Sequence, residues 1–201
     1  MDRVTAFFQG GLSRRSRVLM VVTALALVPC IFLPTWTIGL KAPQYPDGLA
    51  LKIYPNTVAG DVGEVNLLNH YIGMHAIEAD EFPEFRFIPF FILRFLMFAM
   101  LTALVGRMAI AAIGWIDFVV FGAVMLYSLQ HWLYQYGHDL APEAPLNIAP
   151  FTPHFIGVTH VGQFTVSSWP ALGAIIMGVV GAMGPIIVLL EWRRLKRTPA
   201  E

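Results

Sequence analysis

Four long apolar stretches limit what this chain can fold into more than any other feature of its sequence. They cover about residues 18–38, 87–105, 108–133 and 169–190. Each approaches the roughly 20 residues with which an α-helix crosses a hydrocarbon core of about 30 Å. With 57% hydrophobic and 13% charged residues, the chain is too apolar for a soluble globule. The sequence predicts a single integral membrane domain over residues 1–201, an all-α protein with four transmembrane helices and contact with the lipid bilayer.

The first apolar stretch has two interpretations, because arginines followed by an apolar run are also typical of a signal peptide. No small-residue cleavage site of the A-x-A type lies directly before Pro34. This favours a retained first span over a cleaved signal.

Clusters of Lys and Arg set the expected orientation of the spans. Nine of the thirteen basic residues flank them on one side, namely Arg3, Arg14, Arg15, Arg17, Arg107, Arg193, Arg194, Lys196 and Arg197. Loops rich in Lys and Arg stay in the cytoplasm, so both termini are expected inside, in a bacterial inner membrane. The outer segments, residues 39–86 and 134–168, then face the periplasm with nine of the thirteen acidic residues.

The first outer segment carries signals of local structure, which predict a periplasmic cap with room for a short β-hairpin and a short helix. Strand-like runs at Trp36–Leu40 and Leu49–Tyr54 flank a turn at Gln44–Gly48. The Asp-x-x-Glu pattern beginning at Asp61 resembles a capping box and predicts a helix through about Ile72.

All six histidines fall in or beside the two outer segments. The densest cluster is His70, Met74 and His75, and Asn66, His70 and Met74 would share a helix face unless Gly73 ends the helix. Imidazole and thioether are good copper ligands, and thioether favours Cu(I). The cluster therefore predicts a copper site. The alternative is that His70 packs at the bilayer interface and Met74 fills a core.

A second candidate lies at the end of the third span. Tyr127, His131, Tyr134 and His138 would share one face of an extended helix, and Asp139 could orient His138 for a metal ion. The alternative is an aromatic belt at the membrane interface.

His154 and His160 lie in a loop rich in proline and apolar residues. No ligand spacing marks either of them. We interpret both as structural.

Two charged residues fall inside spans, Arg94 in the second and Asp117 in the third. Charges in lipid are costly and usually pair. Because the two spans are antiparallel, we expect an Arg94–Asp117 ion pair that locks their hairpin, which only Gly106-Arg107 connects.

Several functions are excluded or disfavoured by what the sequence lacks. A net charge of zero gives no reason to expect nucleic acid as a partner, and the single Cys30 allows no thiol redox pair. No nucleotide, zinc-hydrolase or serine-hydrolase motif is present, so an enzyme is not expected. No span has a histidine near its middle, which makes haem unlikely.

Two stretches carry a resemblance to a known family: Pro34–Leu49, with its Ala-Pro-Gln-Tyr-Pro-Asp-Gly-Leu run, and Asn66–Met74, with Asn-His-Tyr-Ile-Gly-Met. Both resemble small bacterial membrane proteins encoded in gene clusters for nitrous oxide reductase, a periplasmic copper enzyme, beside its copper chaperone and maturation factors. The resemblance implies an accessory protein that handles copper or supports electron supply for that enzyme. The alternative is a structural or assembly subunit of a membrane respiratory complex, with no bound metal.

Overall fold

The protein combines helices with a β-sheet, so the prediction of an all-α fold is wrong. The computed structural model describes Phe8, residues 10–146 and residues 148–197. Arg3, one of the nine flanking basic residues, lies outside these residues, as do both chain ends. Within the described residues there are five α-helices and one five-stranded antiparallel sheet.

The helices are α1 (Arg14–Leu27), α2 (Val62–Ile72), α3 (Ile88–Val105), α4 (Met108–His138) and α5 (Leu172–Arg197). The strands are β1 (Trp36–Ala42), β2 (Tyr45–Ile53), β3 (Val58–Gly60), β4 (Gly157–Val161) and β5 (Phe164–Pro170). Short 3₁₀ helices occupy Pro29–Ile31, Ala79–Glu81 and Pro83–Arg86.

The predicted first span at residues 18–38 does not form a single helix. The 14 residues of α1 reach about 21 Å at 1.5 Å per residue, short of a hydrocarbon core of about 30 Å. Pro29 then begins a 3₁₀ turn, and β1 begins at Trp36. Three helices in the described part of the chain are long and apolar enough to cross a membrane: α3, α4 and the Leu172–Arg194 part of α5.

Backbone contacts divide the chain into two compact units. The helical unit consists of the described residues of Met1–Ile31, Phe90–Gly122 and Ile176–Glu201. The sheet unit consists of the described residues of Phe32–Pro89 and Ala123–Ile175.

In the helical unit, α3 and α4 form the expected tight hairpin with only Gly106 and Arg107 between them. Gly106 has φ +70°, a conformation that glycine adopts without steric cost. Its carbonyl accepts a hydrogen bond of 2.7 Å from the amide of Leu12, and the amide of Met108 donates to Gly10 at 3.3 Å. The chain before α1 is therefore tied to the hairpin turn.

Helix α5 contains Pro185, which has no N–H to donate to the carbonyl of Gly181. The indole Nε1 of Trp115 donates to that carbonyl instead, at 2.7 Å. A side chain at Gly184 would collide with the Trp115 ring. Gly184 therefore lets α4 approach α5 closely, and Trp115 can then donate to the carbonyl of Gly181.

The sheet unit is built on a sheet of strand order β3-β2-β1-β5-β4. The central strand β1 pairs antiparallel with β2 through Ile38 and Leu51, and with β5 through Ile38 and Ser168. Helix α2 packs on the sheet over a buried apolar cluster consisting of Ala42, Leu49, Leu51, Val65 and Leu68. Strands from both outer segments thus belong to one sheet.

The predicted hairpin forms, with a different turn. The chain reverses at Pro43 and Gln44, so that Ala42 pairs with Tyr45, and Gly48 lies inside β2 with φ +87°. Helix α2 ends at Ile72 as expected, but the Asp61 side chain makes no cap bond to it. Asp61 Oδ2 instead accepts from the amide of Ala50 at 2.8 Å, which ties the helix start to β2.

The second outer segment departs most from expectation. Residues 157–161 and 164–170 form the β4–β5 hairpin, and Trp169, placed by sequence in the fourth span, lies in β5 opposite Thr37. The described helix begins only at Leu172.

Candidate functional site

Gly73, directly after the end of helix α2, adopts the left-handed conformation with φ +79°. Met74 therefore leaves the helix, and the helical face of Asn66, His70 and Met74 does not form. The chain turns back instead: the amide of Met74 donates to Asn69 O at 2.9 Å, and Asn69 Nδ2 donates to His75 O at 3.2 Å.

Asn66 fixes the segment that follows. Its Oδ1 accepts from the amide of Ile77 at 2.7 Å, and its Nδ2 donates to Ile77 O at 3.2 Å. An asparagine that satisfies both backbone groups of one residue holds that residue in place. The sequence placed Asn66 beside the metal candidates, whereas the structure gives it a purely structural contact.

The two outer segments meet at what we call the segment junction, residues 71–77 against residues 137–146. The amide of Ala141 donates to Gly73 O at 2.7 Å, and the amide of Leu146 donates to Tyr71 O at 2.9 Å. A Cβ at Gly73 would lie 2.8 Å from Ala141 O. Only glycine therefore fits at the point where the segments cross.

His75 and Asp139 form the one side-chain contact in this junction that joins two potential metal ligands. His75 Nε2 lies 3.2 Å from Asp139 Oδ2, and the two side chains are 64% and 65% exposed. We expected Asp139 to orient His138, but its observed contact is with His75. The structure thereby brings the first candidate cluster to the second.

His138 lies at the end of α4 with its ring stacked on Tyr134 at 3.9 Å between centroids. Its Nδ1 is 2.9 Å from Tyr134 O. A carbonyl can only accept, so Nδ1 carries the proton and Nε2 holds the lone pair in the neutral ring. Metal-binding histidines commonly use such a carbonyl to fix the ring tautomer.

The remaining predicted ligands are dispersed. His70 is exposed beside Tyr71, with ring centroids 6.3 Å apart. His131 lies parallel to Tyr127 at 6.5 Å, and Met74 is half-buried. Within the described residues, no three His, Cys, Asp or Glu side chains are grouped so that they could hold a metal ion.

The two remaining histidines make local contacts in and before the β4–β5 hairpin. His154 Nδ1 is 3.0 Å from Val158 O and 2.8 Å from Thr159 Oγ1. His160 Nδ1 is 3.1 Å from Thr165 Oγ1. Both contacts are local, and the interpretation of these two histidines as structural stays a prediction.

Glu84 is a residue of the sheet unit that the sequence did not single out. Its Oε1 accepts hydrogen bonds from Ser128 Oγ and from Trp132 Nε1. Burial raises the pKa of the Glu84 carboxyl, but these hydrogen bonds and the nearby charge of His131 outweigh it, so the pKa is lowered overall. Glu84 lies in the 3₁₀ turn Pro83–Arg86 ahead of α3, and no sequence pattern marks it.

The structure places the two charges within the spans in contact. Arg94 Nη2 lies 2.7 Å from Asp117 Oδ2 and 2.8 Å from Asp117 Oδ1. The guanidinium also lies over the Phe91 ring, 4.3 Å from its centroid. The two charges thus lie next to each other across the antiparallel helices α3 and α4.

Comparison with models of known protein families and with curated proteins finds no match. The candidate site therefore rests on the chemistry and geometry of the residues themselves.

Proposed function

We propose that this chain is an accessory protein of a bacterial inner membrane that binds copper transiently on its sheet unit, for use by a periplasmic copper enzyme. The observation that carries the proposal is the His75–Asp139 contact. It joins two segments that the sequence had separately marked as metal candidates, and both side chains are exposed to a metal ion in solution.

His75 would be the first ligand. When its Nε2–H donates to Asp139 Oδ2, Nδ1 carries the lone pair and is ready to bind a metal. A carboxylate behind a ligating histidine fixes the ring and raises its basicity. Asp139 would thus orient His75, whereas the sequence predicted that it orients His138.

Met74 and His138 would complete the coordination as the segment junction closes on the ion. Met74 precedes His75 directly and offers a thioether, which favours Cu(I). His138 precedes Asp139 and offers Nε2. One ligand oriented by a carboxylate, with two more ligands beside this pair in sequence, suits a site that releases its ion readily rather than a permanent centre.

The charges of the sheet unit favour a cation as the ligand. Its ranges contain nine acidic and only three basic residues. Ten of the thirteen basic residues fall in the ranges of the helical unit, which by the positive-inside rule supports cytoplasmic termini and a periplasmic sheet unit. The β1–β5 pairing supports one compartment for both outer segments.

The partner we propose is a periplasmic copper enzyme of the nitrous oxide reductase kind, served together with its copper chaperone. The resemblance of Pro34–Leu49 and Asn66–Met74 supports this partner. A soft-ligand site on an acidic, outward-facing surface is compatible with copper exchange in that compartment.

Competition titration of the purified protein against chromogenic chelators tests the copper site, with Cu(I) and Cu(II) titrated separately. We expect His75→Ala to weaken binding of both ions at least tenfold and Asp139→Asn to weaken it by roughly tenfold. Met74→Leu should weaken Cu(I) binding more than Cu(II) binding. His160→Ala is the matched control, because it removes an exposed imidazole outside the junction, and it should change neither.

Stability provides the second readout of this experiment. An exposed ion pair contributes about 1 kcal/mol or less, so His75→Ala should leave thermal unfolding nearly unchanged. A parent protein that binds no copper, or a His75→Ala variant with the parent's affinity, would overturn the proposal. Co-purification of metal-free protein with other membrane subunits would favour the structural alternative.

A further inference from the structure

The helical unit contains a partly open apolar cavity of about 250 Å³. All four helices that enter this unit line it, with Met20 and Leu27 from α1, Phe95 from α3, Trp115 from α4 and Ile187 from α5 among them. The volume corresponds to a chain of several methylene groups. An apolar cavity that is open on one side can admit an apolar ligand from outside.

The polar groups in the cavity wall are already bonded to the backbone. Thr23 Oγ1 donates to Leu19 O at 2.8 Å, and Thr102 Oγ1 donates to Phe98 O at 2.7 Å. The indole N–H of Trp115 is used by Gly181 O. A ligand inside would meet methyl, methylene and aromatic surface, which excludes water and favours a hydrocarbon chain.

Two arginines lie next to this cavity in the chain. Arg17 is one helical turn before the lining residue Met20, and Arg107 directly precedes the lining residue Met108. Arg17 is half-buried against the α3–α4 turn, where a side chain at Gly106 would collide with its guanidinium. Arg107 is exposed in that same turn.

The carboxylate of Glu191, in α5, is bonded to other groups. Glu191, 5% exposed, accepts from the Ser13 amide at 2.8 Å and from the hydroxyls of Ser13 and Ser16. Its other oxygen accepts from Arg194 Nη1 at 3.2 Å. Within the described residues, no ion pair joins a carboxylate to Arg17 or Arg107, so both are available to an anion.

We propose that the helical unit binds one anionic phospholipid, with an acyl chain in the cavity and the phosphate on Arg17 and Arg107. Apolar space flanked by arginine at the cytoplasmic end of membrane helices fits both parts of such a lipid. The site is independent of the copper proposal, which concerns the sheet unit alone.

Native mass spectrometry of the protein purified in mild detergent tests this, with extraction and identification of any retained lipid. We expect one anionic phospholipid per chain. Ala112→Leu fills the cavity and should reduce retention at least fivefold. Ala123→Leu is the matched control, because it adds the same volume to an exposed position of the same helix outside the cavity, and it should retain the lipid.

The headgroup half of the proposal has its own variants. Arg17→Gln and Arg107→Gln should lower the preference for anionic over zwitterionic phospholipid in a lipid-exchange titration by at least threefold each. Arg15→Gln, which lies about 140° around α1 from Met20, should not. Three results would overturn the proposal: unchanged lipid retention in folded Ala112→Leu, a parent that retains no lipid, or an uncharged isoprenoid as the retained molecule.

Discussion

The helical unit and the sheet unit use different means to hold their chain segments together. In the helical unit, apolar helices pack directly, and the few polar groups inside pair with one another, as Glu191 does with Ser13 and Ser16. In the sheet unit, backbone hydrogen bonds between the strands hold most of the chain segments together.

The chemistry of the chain is divided in the same way. All six histidines and nine of the thirteen acidic residues fall in the ranges of the sheet unit, while ten of the thirteen basic residues fall in those of the helical unit. The two units thus differ in the charges and side chains that they carry. The copper proposal concerns the sheet unit because all six histidines lie in its ranges.

The largest expected effect concerns the charge pair of the helical unit. Arg94→Ala or Asp117→Ala would leave one charge unpaired within the span, at a cost of about 3 kcal/mol. The double variant should lose less than the sum of the two, because it leaves no orphaned charge. Unfolding of detergent-solubilised protein by SDS measures all three. Single variants that assemble as well as the parent would show that the pair does not lock the hairpin.

The next effect concerns close packing in the sheet unit. A side chain at Gly137 would collide with Phe151 O, so Gly137→Ala should destabilise the protein by about 2 kcal/mol. Gly122, in the same helix, has nothing within 4 Å of its Cβ position, and Gly122→Ala is the matched control. Thermal unfolding of the two variants compares them. Equal melting temperatures would mean that the segment after α4 adjusts freely.

The smallest effect concerns pH and Glu84. Because its folded pKa lies below the unfolded value of about 4.3, Glu84 adds stability at neutral pH, and this is lost as pH falls through the folded pKa. Glu84→Gln should therefore be less stable than the parent by about 1 kcal/mol at pH 7. The difference should shrink between pH 6 and pH 3. A difference that is constant over that range would mean that the Glu84 charge does not matter.

Features set by local sequence were predictable. The α3–α4 hairpin follows from two long apolar runs with only Gly106 and Arg107 between them, and the end of α2 follows from Gly73. The β1–β2 hairpin follows from the strand-like runs at Trp36–Leu40 and Leu49–Tyr54, although its turn lies at Pro43 and Gln44. In each case the deciding interactions lie within a few tens of residues.

Features set by distant pairing were not predictable. Strand β5 forms because β1 accepts it more than a hundred residues away, and nothing near Trp169 distinguishes a strand from the start of an apolar span. Similarly, Asp139 was next to His138 in sequence, so the sequence could not show that it contacts His75. Residue type identified the candidates, but only the fold determined which of them meet.

The position of β1 at the centre of the sheet has a consequence for biogenesis. Its partner β5 begins about 110 residues after β2 ends, which at 5–20 residues per second is roughly 6–20 s of synthesis. Throughout this delay, one edge of β1 stays unpaired while the two apolar helices α3 and α4 are synthesised. The newly made chain thus displays an open strand edge until its last strand arrives, and a chaperone that shields strand edges would act on it during those seconds.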